Sequence, residues 1–320
     1  KRSAVYETKA FFGVKLLESR GANISRGRNI AIENASGEVI CVSDAGCLLD
    51  KNWVSEITRF ITCGKEYVVG GFNRPICNSF LEKCLAICIM PRREEVVERK
   101  FMPSSRNVSF KKEVWLLVGG YPEKLNWGED MKFNFNLKAN GFHIRFNPDA
   151  IVYWRMRENM RDIFKQFFRY SMGDALGRMY PYRHLIRFLS FSLLVAIILI
   201  SAFLNPWILL TLLVTGVGYV YKPYTRINYI WDEISKNTEY KLASGSLGED
   251  VATEIESKKS IQNKSKNKIE GKNFIRKKSV KRLFKIFSAF FIPFLLFYID
   301  LAKICGYAYG LWHFYRLRTK

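Results

Sequence analysis

Residues 25–47 read SRGRNIAIENASGEVICVSDAGC, and the fold is decided here. Residues 27–35 have the spacing of a short helix that stops before Ser36-Gly37. Residues 39–43 are a nearly continuous apolar run, which suits a strand buried on both faces. The strand ends in Ser43-Asp44-Ala45-Gly46-Cys47. In open α/β sheets ligands bind outside the carboxyl ends of strands. A carboxylate there can hold a ribose hydroxyl or a divalent cation; it can equally cap the following turn. Arg26 and Arg28 open the helix, where backbone N–H groups and guanidinium groups together suit a phosphate; a solvated basic turn is the plainer alternative.

The pattern repeats outward. Helices are predicted over 9–19, 52–62, 77–90 and 129–139, the last stopped by Asn140-Gly141. Strands are predicted over 67–72, 106–110, 143–146 and 151–154. Strands interleaved with helices through residue 157 argue for an α/β sheet domain. Gly128-Glu129-Asp130 opens the helix at 129. Two carboxylates in a first turn are favoured by the helix dipole, and Asp130 can also serve as a general base if it faces a cleft.

Beyond 157 the character changes. Residues 158–182 place Met160, Ile163, Phe164, Phe167, Phe168 and Met172 on one helical stripe and Arg161, Lys165 and Arg169 on another. That is the pattern of a helix in a membrane interface, or of one packed on the α/β domain. Residues 183–222 hold two apolar runs around Asn205-Pro206, read as a transmembrane hairpin. Residues 223–282 are polar and basic, with 16 Lys/Arg against 8 Asp/Glu over 222–285; they read as a flexible cytosolic loop. Residues 283–317 form a third membrane-associated helix, either spanning or interfacial.

The 320 residues carry 51 Lys+Arg, 29 Asp+Glu and a net charge of +22. The basic residues crowd into the loop rather than alternating with aromatics on a folded face, so an anionic membrane surface fits better than nucleic acid. The 48% hydrophobic content excludes a disordered chain. Seven cysteines form no CxxC pair, and the three histidines are too few for conventional Cys/His zinc spacing. The cysteines read as reduced and cytosolic.

Three segments in this order, residues 25–47, residues 103–154 (PSSRNVSFKKEVWLLVGGYPEKLNWGEDMKFNFNLKANGFHIRFNPDAIVYW) and QFFRY at 166–170, resemble a membrane-associated family-2 glycosyltransferase. The likeness covers about residues 20–175. It implies an α/β GT-A fold, a Rossmann-like mixed sheet followed by carboxyl-terminal membrane helices. The family's RN-x-G/A-I segment falls on Arg28–Ile32, its DxD-type strand end on Asp44, its ED motif on Glu129-Asp130 and its QxxRW motif on Gln166–Tyr170, with Tyr170 in place of Trp. Gly46 stands where the second DxD acid is expected. The family's opening strands, with a nucleotide-binding aspartate, have no counterpart, so the domain over 1–157 is expected to be incomplete at its amino end.

The resemblance implies an inverting transfer of a sugar, of the hexosyl type, from a nucleotide-sugar to a lipid-linked or saccharide hydroxyl at the cytoplasmic membrane face. Asp130 would be the catalytic base, with Glu129 beside it. Arg28, Asn29, Asp44, Ala45 and Gly46 would bind the donor. Arg106, Asn107, Gln166, Arg169 and Tyr170 would meet the acceptor or diphosphate. Mg2+ or Mn2+ would be the cofactor, on Asp44, and membrane lipids would be partners. A non-catalytic membrane scaffold with a degenerate transferase domain is the alternative.

Overall fold

The computed structural model of the chain describes residues 6–11, 14–203, 207, 210–243 and 266–318. It opens with an antiparallel hairpin, β1 (Tyr6–Phe11) and β2 (Val14–Glu18). The helix expected over 9–19 is therefore corrected. Tyr6–Phe11 and Val14–Glu18 are each too short for a stable helix, and each finds a cross-strand partner instead.

Helix α1 (Ile24–Glu33) follows, capped by Asn23, whose side chain accepts from Arg26 N at 3.0 Å. Next come β3 (Val39–Val42), β4 (Leu48–Leu49), α2 (Trp53–Thr62), β5 (Val68–Ile76) and α3 (Phe80–Ile89). Helix α3 starts three residues later than expected because Ser79 and Glu82 form a capping box. The domain then adds β6 (Val108–Lys111), α4 (Lys112–Leu117), α5 (Glu129–Ala139) and β7 (Arg145–Arg155).

Strands β3 to β7 form one mixed sheet in the order β3-β6-β5-β7-β4. Only the β5–β7 pair is parallel. The two strands expected at 143–146 and 151–154 are one strand, broken in register against β5 between Gly71 and Phe72. At this irregularity Asn107 Nδ2 donates to Phe72 O and Ala150 O, both at 3.0 Å, so the carbonyls that leave the ladder stay satisfied. One face of the sheet packs Val68, Val108 and Phe110 under Trp115, Phe133 and Leu137; the other packs Val69, Ala150 and Val152 under Trp53, Ile57 and Ile61.

Helix α6 (Met160–Leu176) leads into α7 (Pro181–Phe203), α8 (Leu210–Ala243) and the long α9 (Lys266–Arg318). The apolar stripe of α6 is covered by protein: Ile163 and Phe167 share a core with Cys84 and Leu85 of α3 and Leu295, Ile299 and Ala302 of α9. Helices α6 and α9 approach closely at Gly306 and Gly310. A Cβ at Gly310 would come within 2.8 Å of the Met172 carbonyl, and one at Gly306 would collide with Phe168 O.

The flexible loop expected over 223–282 is corrected at both ends, because Pro223 to Ala243 and Lys266 onward are helical. The polar part of α8 is held by two ion pairs to the α/β domain, Arg74–Glu233 at 2.9 Å and Arg226–Glu95 at 2.7 Å, and by buried Ile227 and Ile230. The Asn205-Pro206 turn and residues 244–265 lie outside the described residues. Among the described residues, two helices are long and apolar enough to cross a membrane: α7 and the Ser279–Arg316 part of α9.

Candidate active site

A cavity of about 770 Å3 opens where β3 and β7 end and β6 begins. Five sequence features meet on its wall. Helix α1 brings Arg28, and the turn after β3 brings Asp44, Ala45 and Gly46. The segment before β6 brings Arg106. The first turn of α5 brings Glu129 and Asp130, and α6 brings Tyr170.

Arg28 is the hub. Its guanidinium donates to Asp44 Oδ1 at 2.5 Å and to Glu129 Oε1 at 2.7 Å, and lies 5.3 Å from the Tyr121 ring centre. Burial pulls its pKa down, but Tyr121, Asp44 and Glu129 outweigh that and the net shift is upward. A carboxylate–guanidinium–carboxylate bridge thus ties the start of α1 to the end of β3 and the start of α5.

Asp130 is in a different state from Glu129. Gly128 precedes them in the left-handed conformation (φ 74°), in a gap where a Cβ would sit 3.1 Å from Met179 Cε. Glu129 and Asp130 are successive residues of α5 and so point about 100° apart around its axis. Glu129 is buried and ion-paired, whereas Asp130 is half-buried, unpaired with any cation among the described residues, and accepts from Met131 N at 2.8 Å. Withdrawal from water, followed by repulsion from Glu129, pushes its pKa from 3.8 up to about 6.

Arg106 stacks on Trp154, 3.8 Å from the ring centre, with its Nε 3.7 Å from Asp44 Oδ2. That Nε is buried and has no hydrogen-bond partner among the described residues. Arg157 Nε donates to Gln166 Oε1 at 3.1 Å, and Gln166 Nε2 donates to the Tyr170 hydroxyl at 3.1 Å. Gln166 therefore acts behind the wall, aligning Arg157 and Tyr170.

Three expected site residues are elsewhere. Asn29 is buried in a knot of its own, donating to Tyr121 O and Glu123 Oε1 and accepting from Trp115 Nε1 and Tyr121 N. Asn107 spends its amide on the sheet irregularity and accepts from Trp53 Nε1 at 2.9 Å. Arg169 lies over the Trp127 ring, 5.4 Å from its centre, and lines a separate hollow between α6 and α9. The sequence reading missed Cys47, Trp127, Trp154, Arg155 and Arg157, all on the cavity wall. The last three sit at the carboxyl end of a strand, the signal that singled out Asp44. Burial raises the Cys47 pKa, so its thiol is a poor nucleophile.

Among the described residues no three His, Cys, Asp or Glu side chains converge as a metal cage. Asp44 still fits a Mg2+-type ion of another kind. With Oδ1 held by Arg28, Oδ2 can supply one ligand to an ion whose others are phosphate oxygens and water.

No curated protein matches the chain. Among solved structures, it is similar to residues 1–349 of TarS from S. aureus in complex with UDP-GlcNAc, at 18% identity over 49% of this chain and 48% of that one, TM-score 0.36. It is also similar to the mannosyltransferase PcManGT from Pyrobaculum calidifontis in complex with GDP-Man and Mn2+, at 13% identity over 92% of this chain and 68% of that one, TM-score 0.41. The chain spans about half the length of the first of these. Residues 86–223 match the family described as Glycosyl transferase family group 2, a segment that includes Arg106, Glu129, Asp130, Arg157 and Tyr170. Over those residues the chain is similar to that family.

Proposed function

We propose that the chain transfers a sugar, with inversion, from a nucleotide-sugar to a hydroxyl of a lipid-linked or saccharide acceptor at the cytoplasmic face of a membrane. The observation that carries this reading is the pair of adjacent carboxylates held in opposite states. Glu129 is locked on Arg28, while Asp130 is unpaired with its pKa raised to about 6. Carboxylates pushed apart in this way suit different tasks. Asp130 is ionised at neutral pH, yet basic enough to take the acceptor proton as the hydroxyl attacks the anomeric carbon.

The departing diphosphate needs positive charge. Arg106, Arg155 and Arg157 on the same wall suit that task. Arg28 is committed to two carboxylates and acts by fixing their positions. A divalent cation bound to Asp44 and the donor's phosphates would add further neutralisation. The aromatic faces of Trp127 and Trp154 suit contact with a base or sugar ring. The apolar α7 and the basic residues after it support the membrane setting with the domain on the cytoplasmic side.

The test is consumption of a panel of nucleotide-sugars by the membrane-embedded chain, with and without Mg2+. Release of nucleoside diphosphate from at least one donor is expected. Binding without turnover of any donor would favour the scaffold alternative.

A further inference from the structure

The Ser279–Arg316 part of α9 has the length and composition of a membrane span, yet its contacts run along the domain that holds the cavity. Near one end, Phe284 packs on Phe80 of α3, ring centres 5.7 Å apart. Near the other, Gly310 lies against Met172 and Ala175 of α6. Between them Ile292, Leu295, Ile299 and Ala302 are buried in the core shared with α3 and α6. From Phe284 to Gly310 a helix advances about 39 Å at 1.5 Å per residue, more than the ~30 Å of bilayer hydrocarbon. Helix α6 also puts Asp162 and Tyr170 on the wall of a polar, open cavity. A helix docked along such a partner for that distance cannot also cross the hydrocarbon.

The opposite face of α9 is apolar and largely exposed, covered only where Phe191 of α7 meets Phe297. Leu283, Phe287, Phe290, Phe294, Phe297 and Trp312 are between 42% and 79% exposed. From Leu283 to Trp312 the stripe is about 44 Å long. Cations stand at its two ends, Arg282 and Lys285 at one and Arg316 at the other. The charges between, Asp300 and Lys303, pair with each other at 3.1 Å, and Asp300 pairs with Arg187 of α7 at 3.1 Å.

Helix α7 identifies what covers the stripe. It leaves α9 from this outer side, where Phe191 stacks on Phe297 with ring centres 5.1 Å apart. Further along, Val195, Ile198, Leu199, Ile200 and Phe203 are all exposed. Three consecutive exposed residues, 198–200, span more than half the helix circumference. A protein partner covers one face of a helix, whereas lipid surrounds it.

We infer that α9 lies flat in one leaflet, its inner face docked on α3 and α6 and its outer face in the lipid, while α7 enters the bilayer from its middle. The inference rests on the membrane reading above and names the surface that meets the membrane. It also sets the Asp130 cavity at the bilayer surface on a rigid cradle.

The test uses the full chain with the exposed cysteines removed (Cys63→Ser, Cys305→Ser), in vesicles of phosphatidylcholine containing phosphatidylglycerol. Single reporters are introduced as Leu283→Cys, Phe290→Cys, Phe297→Cys and Trp312→Cys, with Ile198→Cys as the deep reference. Each is labelled with bimane and quenched by lipids brominated at graded depths. In-plane placement predicts similar shallow quenching at all four α9 positions, about 5–10 Å below the headgroups, and deeper quenching at Ile198. It also predicts that impermeant maleimide reaches Ser279→Cys and Arg316→Cys from the same side. Depth that climbs to a maximum at Phe297, with the two ends reached from opposite sides, overturns the inference. So does absence of quenching along the stripe, whether the face meets water or a second copy. Activity is not read, so failure of the transferase reading leaves these outcomes intact.

Discussion

Asp130→Asn should separate catalysis from stability, and in opposite directions. In the folded chain the Asp130 carboxyl ionises at about 6 rather than 3.8, first because of burial and then because of Glu129. Above pH 6 the folded state therefore carries a carboxylate that is more comfortable unfolded. That gap corresponds to about 3 kcal/mol. The carboxylate lines an open cavity, so a penalty of about 1–2 kcal/mol is the expected size after screening. The sign follows from proton linkage. A raised folded pKa adds stability below pH 4, and that stability is lost as pH rises through 6.

Asparagine keeps the shape and an oxygen for Met131 N but never ionises, so the variant should melt a few degrees higher than the parent at pH 7.5. The difference should shrink toward pH 4. Turnover should fall about 10²–10⁴-fold, the usual contribution of a general base, with donor affinity retained. The assays are thermal denaturation across pH, transfer rate, and nucleotide titration on the same preparations. A variant that is less stable at neutral pH would refute the electrostatic reasoning. Near-parental turnover would remove Asp130 as the base.

Glu129→Gln should move the acid limb of the pH–rate profile below 6, because the repulsion raising the Asp130 pKa is gone; an unmoved limb would mean another group titrates. Arg28→Met leaves Glu129 unpaired and Asp44 with only the longer contact to Arg106, 3.7 Å away, and should cost about 3–5 kcal/mol in denaturant unfolding, as expected for a broken buried ion pair. With one carboxylate at the strand end, Mg2+ should bind measurably only when a nucleoside diphosphate is present. Calorimetric titration with and without the diphosphate checks this, and tight binding to the free protein would contradict it.

What could be read in the sequence was local. The apolar run before Asp44 and the Gly128 turn before Glu129-Asp130 each signal themselves within a few residues, whereas α1 starts three residues before the expected residue 27, on the Asn23 cap. The pairing of Arg28 with Glu129 spans 101 residues and leaves no local trace. Asn29 and Asn107 have the chemistry of ligand-binding amides, but their partners come from distant carbonyls and tryptophans, so only the assembled fold reveals that they are occupied. The polar half of α8 resembles a loop because its helical state depends on Arg74 and Glu95 elsewhere in the chain. Helix α9 shows the same limit from the other side. Its apolar run suits a span, and only its docking on α3 and α6 distinguishes a helix lying on a domain from one crossing a bilayer.

The most direct test of transfer with Asp130 as base is the configuration of the first-formed product. A single displacement by an acceptor hydroxyl that Asp130 deprotonates inverts the anomeric carbon. Proton NMR of the product made by the full chain from an α-linked nucleotide-sugar should therefore show a β linkage. Formation should also slow as pH falls through about 6, the pKa of Asp130. An α-linked product would require a second nucleophile or a different attack geometry, and would contradict the account.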